Sequence, residues 1–240
     1  MSQKKEIFMR NIQDSELLDK YLEEFQINRM FHQSKQLPYH MQQYHSGEII
    51  RFEGMEMNSL LFLVNGKARI TSSIETGKAL LLRFIYPLSV IGDIELIRDV
   101  PVQSQVQAVD ECLVIGVPFD YIKKYEIDNP RLLHMLLEHV SFKLQTCTTA
   151  SRVNLLASVE NKFASYLMST LSPDADNEFG IELQTSSVKE IASLLGTTYR
   201  HLNRVIASLN EQGIIERQKN SIQILNWKEL EKAANGIRYK

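Results

Sequence analysis

The sequence predicts an α+β chain in three parts: an antiparallel β-roll, a long helix, and a C-terminal helical unit closed by a β-hairpin. Three observations carry this. Short apolar runs punctuated by glycine recur between residues 37 and 127. A strict heptad pattern follows, from Leu133 to Asn154. Beyond it, two amphipathic patterns flank Gly196, and two apolar runs flank a polar tip.

Residues 1–36 scatter Ile12, Leu17, Leu18, Tyr21, Leu22 and Phe25 among polar residues. Their spacing predicts one or two short helices, a lead-in without chemistry of its own. Residues 37–128 form the predicted roll. Its runs are Tyr44–His45, Glu48–Phe52, Leu60–Val64, Lys67–Ser72, Ala79–Ile85, Val102–Val109 and Cys112–Val117. Gly47, Gly54, Asn65–Gly66, Thr76–Gly77, Pro87 and Gly92 separate them. Asn-Gly between two apolar runs is a strong hairpin signal. The inside of so small a barrel either fills with side chains or holds a ligand.

Residues 129–157 are predicted helical, with Pro130 at the first helical position after Asn129. Leu133, Leu137, Val140, Leu144, Cys147, Ser151 and Asn154 alternate steps of four and three, the seam of a two-stranded coiled coil. Arg131, Glu138, Lys143 and Arg152 are assigned to the opposite, solvated face. The seam predicts a homodimer.

Residues 158–240 form the last unit. Ser158 is placed to N-cap a helix from Val159 to Leu171. An acidic loop, Ser172–Gly180, and a strand, Ile181–Gln184, lead to a helix with Val188, Ile191, Leu194 and Leu195 on one face. Gly196 ends it, and Thr197 or Thr198 caps the next. That helix buries Leu202, Val205, Ile206 and Leu209. Its other face carries Tyr199, Arg200, His201, Asn203 and Arg204. The strands Ile214–Glu216 and Ile222–Leu225 then make a hairpin, and Trp227–Ala234 a short helix. The whole reads as a winged helix-turn-helix.

A capped helix projecting two arginines and an asparagine suits a polyanion. Its N-terminal N–H groups attract phosphate, and Arg and Asn match base edges in the major groove. The chain's 27 basic and 29 acidic residues do not announce nucleic acid. Between Ser187 and Lys228, however, Lys189, Arg200, Arg204, Arg217, Lys219 and Lys228 face only Glu190, Glu211 and Glu216. Two cysteines, Cys112 and Cys147, cannot build a disulfide framework. No run is long enough to span a membrane, and no signal sequence opens the chain, so a cytoplasmic protein is expected. No nucleophile elbow, phosphate-binding glycine loop or metal-ligand cluster announces an enzyme.

The order of parts resembles the CRP/FNR superfamily of bacterial transcription regulators, over nearly the whole chain. Leu60–Arg69 looks like the family's hairpin with its Val-x-Gly turn, Ile91–Ile97 like its ligand-cassette loop, and Ser187–Ile206 like its DNA-reading motif. Ile94–Ile97 with Tyr199–Leu202 looks nearest to the YeiL-type branch. The resemblance implies a cyclic-nucleotide-binding-like roll, and RNA polymerase as a partner if the protein activates. The pocket departs from the nucleotide-binding pattern. Gly92 is kept, the ribose-binding glutamate becomes Asp93, and the phosphate-binding Arg–Ser becomes Gln103–Ser104. A neutral amide cannot replace a guanidinium, so cyclic AMP is disfavoured.

The effector, if one exists, is unidentified. Family members bind haem, iron–sulfur clusters or metabolites here, and some act without ligand. The family's cluster needs four N-terminal cysteines, and none precedes Cys112. His32, His40 and His45 are read as surface residues rather than ligands. Cys112 is read as core. Cys147 and Thr148 align with ligand-facing residues of the dimer helix; Cys147 is either a small core residue or a redox or ligand contact. On the reading helix, the family's Arg–Glu is replaced by Tyr199–Arg200 and its later arginine is kept as Arg204, which implies a different operator. Lys189, Thr197 and His201 suit phosphate contacts, and Thr198, Tyr199 and Lys219 are counted with them as DNA-binding residues. A second reading is a regulatory or scaffolding roll whose last domain makes protein contacts.

Overall fold

The computed structural model describes residues 10–32, 37–73, 79–170, 182–184, 188–218 and 221–236. The turn Thr76–Gly77, the acidic loop 172–180, Ile181, Ser186–Ser187 and Lys219 lie outside them, as do the side chains of Arg152 and Asn154. The chain divides into two compact units, Met1–Ser72 with Phe84–Gln145, and Ser73–Arg83 with Thr146–Lys240.

The roll consists of two sheets. One has the order β1-β2-β9-β4-β7: β1 Arg10–Ile12, β2 His40–Tyr44, β9 Cys112–Pro118, β4 Ser59–Asn65 and β7 Ser89–Ile91. Its pairings are antiparallel, with Phe62 opposite Ile115 on the central pair. The other has the order β3-β8-β5-β6: β3 Ile49–Arg51, β8 Gln105–Ala108, β5 Ala68–Ser73 and β6 Ala79–Ile85. Strand β8 pairs antiparallel with both β3 and β5. Strand β4 reads as a continuous apolar run because both its faces are buried. Phe62 and Val64 join a core with Leu22, Phe31, Phe119, Ile122 and Leu132.

The lead-in contains one α-helix, α1 (Ser15–Glu24), capped by Asp14, and a 3-10 turn at Ile27–Met30. Three elements escaped the sequence reading: β1, β7 and a helix directly after β9, α3 (Phe119–Tyr125). The cassette stretch is also a correction. It is no simple loop: from Asp93 to Arg98 it is a helix, α2.

Helix α4 runs Pro130–Leu156. Asn129 caps it, its Oδ1 accepting from Arg131 N at 3.0 Å. Leu132, Met135 and Leu136 are buried in the roll core, whereas Leu133, Leu137, Val140 and Leu144 are exposed. The helix therefore carries two apolar stripes, and one chain buries only one.

In the second unit, α5 (Val159–Thr170) starts at Ser158, whose Oγ accepts from Asn161 N at 3.1 Å. Helices α6 (Val188–Leu194) and α7 (Tyr199–Glu211) follow. Strands β10 (Glu182–Gln184), β11 (Ile215–Arg217) and β12 (Ser221–Ile224) form a sheet in the order β10-β12-β11. Helix α8 is Trp227–Ala234. Ile191, Leu195, Leu202, Ile206, Leu209, Ile215 and Leu230 are buried here.

Candidate DNA-reading surface and effector cassette

The reading surface is built on the turn between α6 and α7. Gly196 has φ +64, a left-handed conformation in which a side chain would be strained. The chain can thus turn sharply between the helices. Thr198 caps α7, its hydroxyl oxygen accepting from His201 N at 3.2 Å. Leu202, Val205, Ile206 and Leu209 point inward, so helical spacing turns Arg200 and Arg204 outward. Both are exposed, and neither forms an ion pair with a described residue. The arrangement offers two uncommitted guanidinium groups, one helical turn apart, beside a helix N-terminus.

The other candidates around α7 are arranged less freely. Lys189 lies 6.0 Å above the Tyr199 ring, a cation–π distance. Thr197 is half-buried and His201 exposed. Asn203 is held at both ends. Its Nδ2 donates to Tyr199 O at 3.0 Å, and its Oδ1 accepts from Arg217 Nη1 at 2.7 Å. Arg217 N in turn donates to Asn210 Oδ1 at 2.9 Å. Arg217, on the first strand of the hairpin, was not among the sequence-derived contact residues. Its pairing joins positions fourteen residues apart, which no helical or strand period reveals.

In the first unit, Gly92 takes φ +98, and a Cβ there would lie 2.5 Å from Met57 Cε. This tight turn leads into α2 and places Asp93 inside, 1% exposed. Lys143 of α4 reaches it: Nζ donates to Val90 O at 2.9 Å and forms an ion pair with Asp93 Oδ1. Lys143 is thus no solvated residue of an outer face; its ammonium turns into the roll. Asp93 Oδ2 is buried and accepts no hydrogen bond from a described residue. Glu95, also buried, accepts from Gln103 N at 3.1 Å. The Gln103 amide donates to Pro101 O at 2.6 Å and is exposed, and Ser104 is half-buried. His139, one turn before Lys143, is half-buried; burial first, then the nearby Lys143 charge, hold its pKa below the ordinary value.

Cys147 and Thr148 belong to the second unit, and both are exposed. Cys147 lies on the seam stripe, which a single chain leaves uncovered. Cys112 is fully buried; burial first, then the Asp110 charge, push its thiol up to about 12. The three histidines do not converge. His32 Nδ1 lies 3.2 Å from the buried Glu126 carboxylate, and His45 faces Glu111 at 3.9 Å. His40 is half-buried rather than on the surface, because its ring packs on Gly116, where any Cβ would clash.

Fold and surface together define a two-part regulator: a β-roll followed by a winged helix-turn-helix with a basic reading helix. Residues 41–125 match the family model of the cyclic nucleotide-binding domain, and residues 161–233 that of the Crp-like helix-turn-helix domain. The chain belongs to the CRP/FNR family of transcription regulators. It is 27% identical over 178 residues to the regulatory protein YeiL of Escherichia coli O157:H7, a match spanning 74% of this chain and 78% of that one. To the global nitrogen regulator of Synechococcus elongatus it is 24% identical over 203 residues, spanning 80% and 89%. The crystal structure of a CRP-family transcriptional regulator from Thermus thermophilus shares the fold, with a TM-score of 0.67 at 21% identity over 82% of this chain and 98% of that one. These proteins are regulators, not enzymes. Among the described residues, no helix is long and apolar enough to cross a membrane.

Proposed function

We propose that the protein acts in the cytoplasm as a homodimer on double-stranded DNA. Each α7 enters one major groove of a pseudo-palindromic operator. Arg200 and Arg204 read bases there, and Lys189, Thr197, Thr198 and His201 hold phosphates. The observation that carries this reading is the exposed pair Arg200 and Arg204, without acidic partners among the described residues. The dimer is supported by the outer stripe of α4, where Leu137 is 65% and Leu144 70% exposed. Two such stripes packed in parallel would bury each other. RNA polymerase is the further partner if the protein activates.

Cyclic AMP is not the effector. This reading is supported by Gln103, which carries no charge, and by Asp93, which is already engaged by Lys143. Titration calorimetry should show no micromolar binding of cyclic AMP, and clear binding would refute it.

The deciding experiment is selection of bound sequences from a random DNA pool, joined to sedimentation. An inverted repeat with half-sites about 34–36 Å apart and a dimeric sedimentation mass are expected. A native monomer with full operator affinity would overturn the proposal.

A further inference from the structure

The cassette turn β7–Gly92–α2 places a carboxylate where burial is costly. Asp93 is 1% exposed, and its helix begins at a turn clamped by Met57 and Ser59. An ionised carboxylate so placed needs a cation, because taking a lone charge out of water costs several kcal/mol. The cation comes from fifty residues away in the same chain. Lys143 threads its stem from α4 and spans the turn, with Val90 O on one side and Asp93 on the other. A neighbouring carboxylate, Glu95, and an imidazole held towards its neutral form, His139, add no positive charge. Asp93 also keeps one buried oxygen that accepts from no described residue. A carboxylate serving only to close the turn would have no reason to face a distant ammonium with an acceptor to spare.

We propose that the cassette is a binding site for a primary ammonium group, and that its resident ligand is the Nζ of Lys143. The site selects a cation, not a phosphate anion. An effector bearing an amine would compete with Lys143 for Asp93. This goes beyond the operator reading and needs none of it, since the test involves no DNA.

The test uses the full chain and the probe n-propylammonium, which restores the atoms that Lys143→Ala removes. Thermal unfolding and calorimetry are expected to show saturable stabilisation of Lys143→Ala by the probe, and none by propionate. The wild type should not respond, because its site is filled. Adding Asp93→Asn should weaken the binding about tenfold or more, the loss of a charged hydrogen bond. A folded Lys143→Ala without saturable binding, or an equal response from the wild type, overturns the proposal. Should Lys143→Ala fail to fold, heteronuclear NMR of the lysine ammonium groups in the wild type decides. A slowly exchanging Lys143 ammonium that disappears in Asp93→Asn supports the site; exchange as fast as that of exposed lysines overturns it.

Discussion

The cassette and the reading helix hold charged side chains in opposite conditions. In the roll, Asp93 is inside and its charge is met by Lys143 of the same chain. On α7, Arg200 and Arg204 are outside and no described acid meets them. The difference follows from solvation. A buried charge must be neutralised as the chain folds, whereas an exposed one can wait for a partner in high dielectric at little cost. A site whose charges are satisfied internally has no need of an anionic ligand. A site whose charges are left open is still waiting for one.

The largest expected effect lies on α4, whose exposed outer stripe is the proposed seam between two chains. Leu137→Asp or Leu144→Asp places a charge in the proposed seam. Sedimentation should give monomers, and operator binding should be lost. Dimers that bind normally would remove the seam from the account.

The next effect tests the closed half of the comparison. Lys143→Met leaves Asp93 buried without a cation, which should cost up to about 3–5 kcal/mol in urea unfolding. The double variant Asp93→Leu with Lys143→Met removes both charges and should recover much of that loss. Additive losses would mean that the two side chains do not share one interaction.

The open half predicts smaller changes. Arg200→Ala and Arg204→Ala should each cost about 1–3 kcal/mol and relax preference at one base pair of the selected operator. Lys189→Ala should instead weaken all sequences alike and lower the salt slope by about one unit per site. An unchanged consensus from both arginine variants would show that they do not read bases.

The smallest effect concerns Arg217 and Asn203. If the hairpin arginine positions the asparagine, Asn203→Ala and Arg217→Ala should be non-additive in operator affinity, with a coupling of about 0.5 kcal/mol or more. Additive losses would make Arg217 an independent contact.

Local chemistry made much of the fold legible. Asp14, Asn129, Ser158, Thr198 and Asn226 each cap a helix through their own side chains, within three residues of chain. Ser158 is a cap that the sequence itself indicates, Thr198 is one of the two threonines it offers, and Asn129–Pro130 is a start that it indicates. The Asn65–Gly66 signal marks a real turn from β4 to β5, but the hairpin reading is corrected: the two strands lie in different sheets, so the turn carries the chain from one sheet to the other. Strand β7 and helix α2 were not legible, because three and six residues are too few for an alternation or a helical period to show.

The periodicities, caps and turns of the sequence by itself determined the roll, the long helix and the helix-turn-helix, and with them the outward face of Arg200 and Arg204. Each of those features is settled within a few residues by backbone geometry and solvent. Only the tertiary structure decided that Lys143 turns inward. A heptad assigns one stripe of α4 to a partner and says nothing of the face packed on the roll. The residue that draws Lys143 in is Asp93, fifty positions earlier, and it can do so only once Gly92 has turned the chain and burial has made its charge costly to leave alone. The tertiary structure likewise decided that Asn203 is held by Arg217, because the hairpin that carries Arg217 lies beyond the end of α7.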